Sequence, residues 1–268
     1  MTDYAPHNER PEDPKQPLKG RRAIVTGAGN GLGLAIAHKF VTAGARILLV
    51  DCDAVVTART SEAGFPAGTA FALTKDLADN DAASTVFQEA QKALGSVDTL
   101  INNAAWSLHK PMLDMTLAEF DRLAAINQRA PYFLAQELLR TVSKLTPRPK
   151  DPAIVNIASV NALAGNPNLV AYAGTKGALL AMTRAMAVEM AAVGIRVNCV
   201  SPGAVYTPMT QKVIAEGALN ADALVNRYLI KRFSSCEEIA DLVAYLCGPT
   251  ATYVTGANWI IDGGFLAQ

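Results

Sequence analysis

The chain lacks an excess of charge of either sign: 24 Lys and Arg balance 24 Asp and Glu over 268 residues, a formal net charge of zero. No basic footprint for nucleic acid or for an anionic membrane is visible, and near-neutrality makes self-association easy. Cysteine is scarce as well. Cys52, Cys199, Cys236 and Cys247 lie far apart with no Cys-x-x-Cys pair, which argues against a metal site and suits small buried hydrophobes kept reduced. No uncharged apolar stretch reaches spanning length, and the opening MTDYAPHNERPEDPKQP contains no apolar run of signal-peptide type. The expectation is a cytoplasmic protein with neither membrane nor nucleic-acid partner. Solenoid-type repeats and low-complexity tracts are also missing.

What is present is apolar bulk. Half of the residues are hydrophobic and 18% charged, enough to bury one large core. Residues 1–17, rich in Pro and in charges of both signs, read as a mobile arm, and 18–268 as one domain. From Arg21 onward short β-branched runs alternate with longer segments of helical spacing. The pattern predicts strands near 23–26, 46–50, 69–73, 97–101, 153–158, 195–200 and 258–261. Such alternation implies an α/β fold, a doubly wound parallel sheet of about seven strands flanked by helices. TPRPKDP, at 146–152, stops one helix before the fifth strand.

The first strand runs into TGAGNGLG, at 26–33, which opens a helix reaching about Thr42. Gly27, Gly31 and Gly33 permit a tight turn and let a pyrophosphate approach backbone N–H groups at the positive end of that helix. The spacing is Gly-x-x-x-Gly-x-Gly, with Gly29 as an extra, and not the Gly-x-Gly-x-x-Gly of longer dinucleotide enzymes. The second strand ends in Asp51, about 20 residues past the loop, where a carboxylate accepts hydrogen bonds from ribose hydroxyls and repels a 2′-phosphate. Asn30, Cys52, Asp53 and Ala54 offer no cation, and Arg46 lies roughly 16 Å back along the strand. NAD is therefore favoured over NADP. Asp76-Leu77 and Asn102-Asn103-Ala104-Ala105, followed by Trp106, sit where later strands meet the sheet crevice. Asn127 falls inside a long helical pattern, where a poor helix former either bonds something specific or distorts the helix.

The segment SVNALAGNPNLVAYAGTK, 159–176, holds a hydroxyl, a phenol and an amine. Tyr172 and Lys176, four apart at the start of a helix, share one face. A phenol with an ordinary pKa of about 10 becomes a usable acid–base group when a cation favours the phenolate. A fall of about three units needs roughly 4 kcal/mol, within reach of an ammonium assisted by an oxidised nicotinamide.

With the glycine loop, NNAA, Asn127, Ser159 and Tyr-x-x-x-Lys in this order, the chain from about Gly20 onward resembles the short-chain dehydrogenase/reductase family. The resemblance implies a Rossmann-type domain in which Tyr172 is the general acid–base and Lys176 lowers its pKa and bonds the nicotinamide ribose. Ser159 would hold the substrate oxygen and Asn127 a water linking Lys176 to solvent. Gly27, Asn30, Gly31, Leu32, Gly33 and Asp51 would bind the adenosine half of NAD. Asp76 and Leu77 would meet the adenine, and Asn103 and Ala104 the adjoining ribose. SPGAVYTPM resembles the family's Pro-Gly segment, so Pro202 and Gly203 would bind the cofactor and Val205 and Thr207 would meet the nicotinamide carboxamide. Ala105 and Leu32 replace commoner family residues without removing a functional group.

On the substrate side, 207–233 breaks the alternation with two short helical patterns, and the resemblance makes it a lid. Trp106, Asn161, Asn166 and Tyr206 are the candidates to touch a small-molecule substrate, with Ser107, His109 and Arg227 nearby. The Asn-rich lining hints at a sugar or polyol. The helix at 170–192 is small or apolar on nearly every side, so it is either deeply buried or meets another subunit. The resemblance implies the second, in a homotetramer, with the tail WIIDGGFLAQ in another contact. The leading reading is an NAD-dependent dehydrogenase or reductase of a secondary alcohol or ketone. A 3-oxoacyl thioester reductase, usually NADPH-linked, is opposed by Asp51. A non-catalytic dinucleotide sensor is opposed by the intact set Asn127, Ser159, Tyr172 and Lys176.

Overall fold

The computed structural model describes residues 13–217 and 220–268. The first twelve residues of the expected arm, and 218–219 of the expected lid, lie outside the described residues. From Asp13 the chain forms turns, with Gln16 N–H on the Asp13 carbonyl at 3.0 Å, and Leu18 is fully buried against the body.

Every predicted strand is found within two residues of its place: β1 (Arg22–Thr26), β2 (Arg46–Asp51), β3 (Ala70–Thr74), β4 (Thr99–Asn102), β5 (Ala153–Ile157), β6 (Arg196–Pro202) and β7 (Asn258–Ile261). They form one sheet, parallel throughout, in the order β3-β2-β1-β4-β5-β6-β7. All residues of β4, β5 and β6 are buried, whereas β3 and β7, at the edges, are only half-buried. Burial on both faces is why the central strands read as continuous apolar runs rather than alternating ones.

Nine helices in the described residues cover the sheet and its carboxyl edge: α1 (Gly31–Thr42), α2 (Val55–Glu62), α3 (Ala82–Leu94), α4 (Leu117–Ala124), α5 (Ala130–Lys144), α6 (Val170–Met190), α7 (Pro208–Ala215), α8 (Ala221–Val225) and α9 (Cys236–Cys247). None of them is long and apolar enough to cross a membrane. Successive strand residues point to opposite faces and feed two cores. Val25, Ile47 and Val155 pack with Ile36 and Phe40 of α1 and Val243 of α9. Ile24, Leu48 and Ile154 pack with Val86 of α3, Leu138 of α5 and Met186 of α6.

The strand order reverses direction between β1 and β4. Crossovers leaving these two neighbours go to opposite sides and open a crevice at their carboxyl ends, the usual ligand position in such sheets. The glycine loop follows β1 and the Asn-Asn pair follows β4, so both sit at that crevice. The two helical patterns expected at 207–233 are present as α7 and α8.

Candidate active site

One cleft at the carboxyl edge is lined by all of the residues expected to hold the cofactor: Gly27, Asn30, Gly31, Leu32, Gly33, Asp51, Asp76, Leu77, Asn103, Ala104, Tyr172, Lys176, Pro202, Gly203, Val205 and Thr207. Ser159 and Trp106 line it as well. The loop is built by close approach. A Cβ on Gly33 would lie 2.0 Å from the Gly27 carbonyl, and one on Gly27, at φ +64°, would lie 2.8 Å from Ala104 Cα. Asn103 supports this packing: its Nδ2 donates to the carbonyls of Thr26 and Gly27 at 2.9 and 3.1 Å. Both amide protons of Asn103 therefore serve the loop, leaving only its Oδ1 for a ribose. Asn30 gives α1 no side-chain cap and the first turn has no acidic residue, so the positive helix end faces the cleft without an anion of its own.

Asp51, at the end of β2, accepts the Gly29 N–H at 2.9 Å and the Asp53 N–H at 3.1 Å. Arg46 is directed elsewhere, to the carbonyls of Gly68 and Ala93. Reading along one strand misses Lys75, which the sheet register brings beside Asp51: Thr74 pairs with Asp51, and Lys75 N–H bonds the Asp51 carbonyl at 2.7 Å. Its ammonium is matched by Asp79 and Asp81 at 2.9 and 2.8 Å, whose hydrogen bonds push its pKa up.

At the other end, α6 delivers the phenol and the amine from its first two turns, and β5 ends next to them at Ser159. Lys176 is 2% exposed and donates to the Ile157 carbonyl at 2.7 Å, while its Nζ lies 5.8 Å from the centre of the Tyr172 ring. Burial pulls the Lys176 pKa down to about 8, with the nearby Cys199 opposing. Burial pushes the Tyr172 phenol up, with the Ser159 hydroxyl opposing. The lowered phenol pKa expected from the sequence is thus not a property of the protein alone. Desolvation outweighs the Ser159 hydrogen bond, and the ammonium is turned to a carbonyl. Ser159 Oγ accepts the Asn161 N–H at 3.1 Å, which leaves its own proton available to the cleft.

Asn127 does both things its helix position suggested. It sits fully buried in a five-residue π-helix, Ala125–Arg129, between α4 and α5. Its Oδ1 accepts the Trp106 N–H at 2.8 Å, and its Nδ2 donates to the Trp106 carbonyl at 2.9 Å and to Thr175 Oγ1 at 3.1 Å. The side chain is spent on anchoring the Trp106 loop to α6.

The expected substrate residues separate. Trp106 faces the cleft. Asn161 and Asn166 bond to each other at 2.5 Å and, through Asn166 Oδ1, to Arg227 Nη1 at 2.9 Å, and neither lines the cleft. Tyr206 is half exposed, packs on Phe233 and lines a separate hollow, not the cleft. Its neighbour Thr207 uses its hydroxyl to cap α7, accepting the Thr210 N–H at 3.2 Å. His109 is exposed. Sequence reasoning passed over Arg122, which lines the cleft from α4, and Met209, at the start of α7. Arg122 belongs to no motif, and only the packing of α4 reveals it.

A family model described as enoyl-(acyl carrier protein) reductase matches residues 27–266. The L-xylulose reductase of Bos taurus is 35% identical over 255 residues, covering 93% of this chain and 98% of that one. A short-chain type dehydrogenase/reductase from Mycobacterium marinum has the same fold, with a TM-score of 0.86 at 28% identity, covering 94% and 97%. The chain belongs to the short-chain dehydrogenase/reductase family. A 3-ketoacyl-(acyl-carrier-protein) reductase from Brucella melitensis, solved with NADH, matches with a TM-score of 0.83 at 31% identity over 92% and 99% of the two chains. As a short-chain dehydrogenase/reductase, the protein is an oxidoreductase acting on CH–OH groups. A dinucleotide fits the cleft chemically: an uncapped helix N-terminus for its phosphates and a carboxylate for a ribose diol stand in one groove with Tyr172 and Lys176.

Proposed function

We propose that this oxidoreductase is NAD-linked and interconverts a secondary alcohol and its ketone, with a sugar or polyol as the substrate class. The observation that carries the reading is the convergence of Ser159, Tyr172 and Lys176 on the same cleft as the glycine loop and Asp51. Gly27, Asn30, Gly31, Leu32 and Gly33 hold the pyrophosphate side, and Asp51 the adenosine ribose. Asp76 and Leu77 border the adenine, Asn103 and Ala104 the adjoining ribose, and Val205 and Thr207 the carboxamide, with Pro202 and Gly203 beside them on the cofactor. NAD over NADP is supported by Asp51, whose charge repels a 2′-phosphate, and by Lys75, whose charge is already balanced by two carboxylates.

The nicotinamide, when bound, takes the hydride from the carbinol carbon or returns it. Tyr172 moves the proton: its phenolic oxygen accepts the hydroxyl proton of the alcohol and gives it back to the ketone oxygen in reverse. Ser159 Oγ donates to the same substrate oxygen and holds it as charge develops there. Lys176 bonds the nicotinamide ribose and favours the phenolate. Asn127 fixes the Trp106 wall. The polyol class is supported by the L-xylulose reductase relative. A second reading, a 3-oxoacyl thioester, has the acyl-carrier reductase likeness and the exposed Met209 of the cleft in its favour.

Residues 18–268 act as one catalytic domain with 207–233 as its lid, in a cytoplasmic homotetramer. Four free cysteines accord with a reducing compartment. An exposed stripe of small and apolar residues on α6, Gly174, Ala181, Ala185 and Val188, accords with a subunit contact, as does the half-exposed Ile260 of edge strand β7. Sedimentation at micromolar concentration tests the assembly, where a monomer rejects it. For the activity, NADH absorbance is followed with pentitols, their ketoses, butanediol and 3-oxoacyl thioesters, with NAD(H) and NADP(H) in parallel. Polyol turnover with NAD is the expected result; turnover confined to thioesters and NADPH rejects it.

A further inference from the structure

Arg122 reaches the cleft from α4 and touches both of its halves. Its Nη2 donates to Asp76 Oδ2 at 2.8 Å, and its guanidinium lies over the Trp106 ring, 5.9 Å from the centre. Asp76 stands at the adenosine end, where its Oδ1 accepts the Ala78 N–H at 2.9 Å. Burial pushes its carboxyl up, but the Ala78 N–H and Arg122 outweigh burial and hold it below the usual value. Trp106 stands at the substrate end, its backbone gripped by Asn127, which also bonds Thr175. Thr175 Oγ1 in turn donates to the Tyr172 carbonyl at 2.8 Å. An unbroken line of contacts therefore runs from Asp76 through Arg122, Trp106, Asn127 and Thr175 to the backbone of Tyr172.

A half-exposed ion pair contributes little to stability on its own. The distinctive feature is one planar guanidinium that bonds a carboxylate through Nη2 and lies over an indole, a pairing that a compact lysine ammonium does not reproduce. We propose that Arg122 is a positioning residue that couples the dinucleotide end of the cleft to the Trp106 wall, so that cofactor binding beside Asp76 orders the substrate side. The inference rests on the dinucleotide reading above. An adenosine group beside Asp76 packs on a carboxylate already bonded to the Ala78 N–H and to Arg122 and reinforces that arrangement, which fixes Arg122 and, through it, the indole. Linkage makes the effect reciprocal: ordering Trp106 strengthens cofactor binding by the same factor.

The test does not need turnover. The chain has two tryptophans, so a Trp259→Phe background leaves Trp106 as the only indole reporter. Acrylamide quenching of its emission is measured with and without NAD+, and NAD+ affinity by calorimetry, in this background and with Arg122→Lys or Arg122→Gln added. In the background protein NAD+ is expected to reduce the quenching constant about two-fold. Arg122→Lys keeps a cation for Asp76 and is expected to bind NAD+ within about three-fold of the background while its quenching no longer responds. Arg122→Gln is expected to lose the response as well and to bind NAD+ about ten-fold more weakly. A full quenching response in the lysine variant overturns the proposal. Absence of NAD+ binding to the folded background protein overturns the dinucleotide reading itself, and with it this coupling.

Discussion

Lys176 lies 5.8 Å from the centre of the Tyr172 ring, yet its buried ammonium is given to the Ile157 carbonyl, 2.7 Å away, rather than to the phenol. Burial works on the two groups in opposite directions and favours the neutral form of each, the phenol raised and the amine lowered to about 8. The protein alone therefore favours the neutral form of both groups, and a further cation in the cleft would be needed to draw out the phenolate.

The first consequence is a pH dependence of cofactor binding. If the Lys176 ammonium bonds the nicotinamide ribose, binding favours the protonated amine, and above a free-protein pKa of about 8 it must take up a proton. NADH affinity measured by fluorescence should be flat below that pH and fall above it, by up to about ten-fold per pH unit. Lys176→Met should bind more weakly and lose the dependence. A wild-type profile that is flat to about pH 9.5 rejects the assignment.

Tyr172→Phe removes one oxygen from a half-buried ring and leaves the fold in place. Turnover should fall by at least about a thousand-fold while NADH affinity stays within about three-fold. Retained turnover would remove Tyr172 from its role.

Asp51→Ala tests cofactor choice. It removes the repulsion of a 2′-phosphate along with the acceptor for the Gly29 and Asp53 N–H groups. The ratio of kcat/KM for NAD+ over NADP+ should drop by about ten-fold or more. An unchanged ratio in a protein of unchanged melting temperature argues that the ribose lies elsewhere.

α9 carries a capping box, Ser235 Oγ accepting the Glu238 N–H at 3.2 Å and Glu238 Oε2 accepting the Ser235 N–H at 2.9 Å, and its inner face packs in the core with α1. Ser235→Ala should cost about 1 kcal/mol, read as roughly 2–4 °C in melting temperature by calorimetry, with KM values unaltered.

Much of this was open to reading in the chain itself, for reasons that differ by residue. The strands were legible because burial on both faces leaves uninterrupted apolar runs, and the glycine loop because Gly27 and Gly33 admit no Cβ. Asn127 was legible as a misfit in a helix. Lys75 and Arg122 were not, because their places depend on which strand ends lie side by side and how α4 leans over the cleft, which no local spacing encodes. Tyr206 misled for a related reason: successive residues of an extended segment face opposite ways, so Val205 and Thr207 at the cleft turn Tyr206 outward. The phenol's raised pKa escaped because proximity in a helix register says nothing of desolvation.

The wide turn at Ala125–Arg129 also changes the angular bookkeeping of the helices around it. One residue inserted into an α-helix rotates everything after it by about 100° about the axis. An unbroken helix would present one continuous side, whereas here α4 packs on α6 while α5 packs on α3 and β4. A single continuous run of sequence thus serves as wall of the cleft and as packing for the sheet, with Asn127 at the pivot.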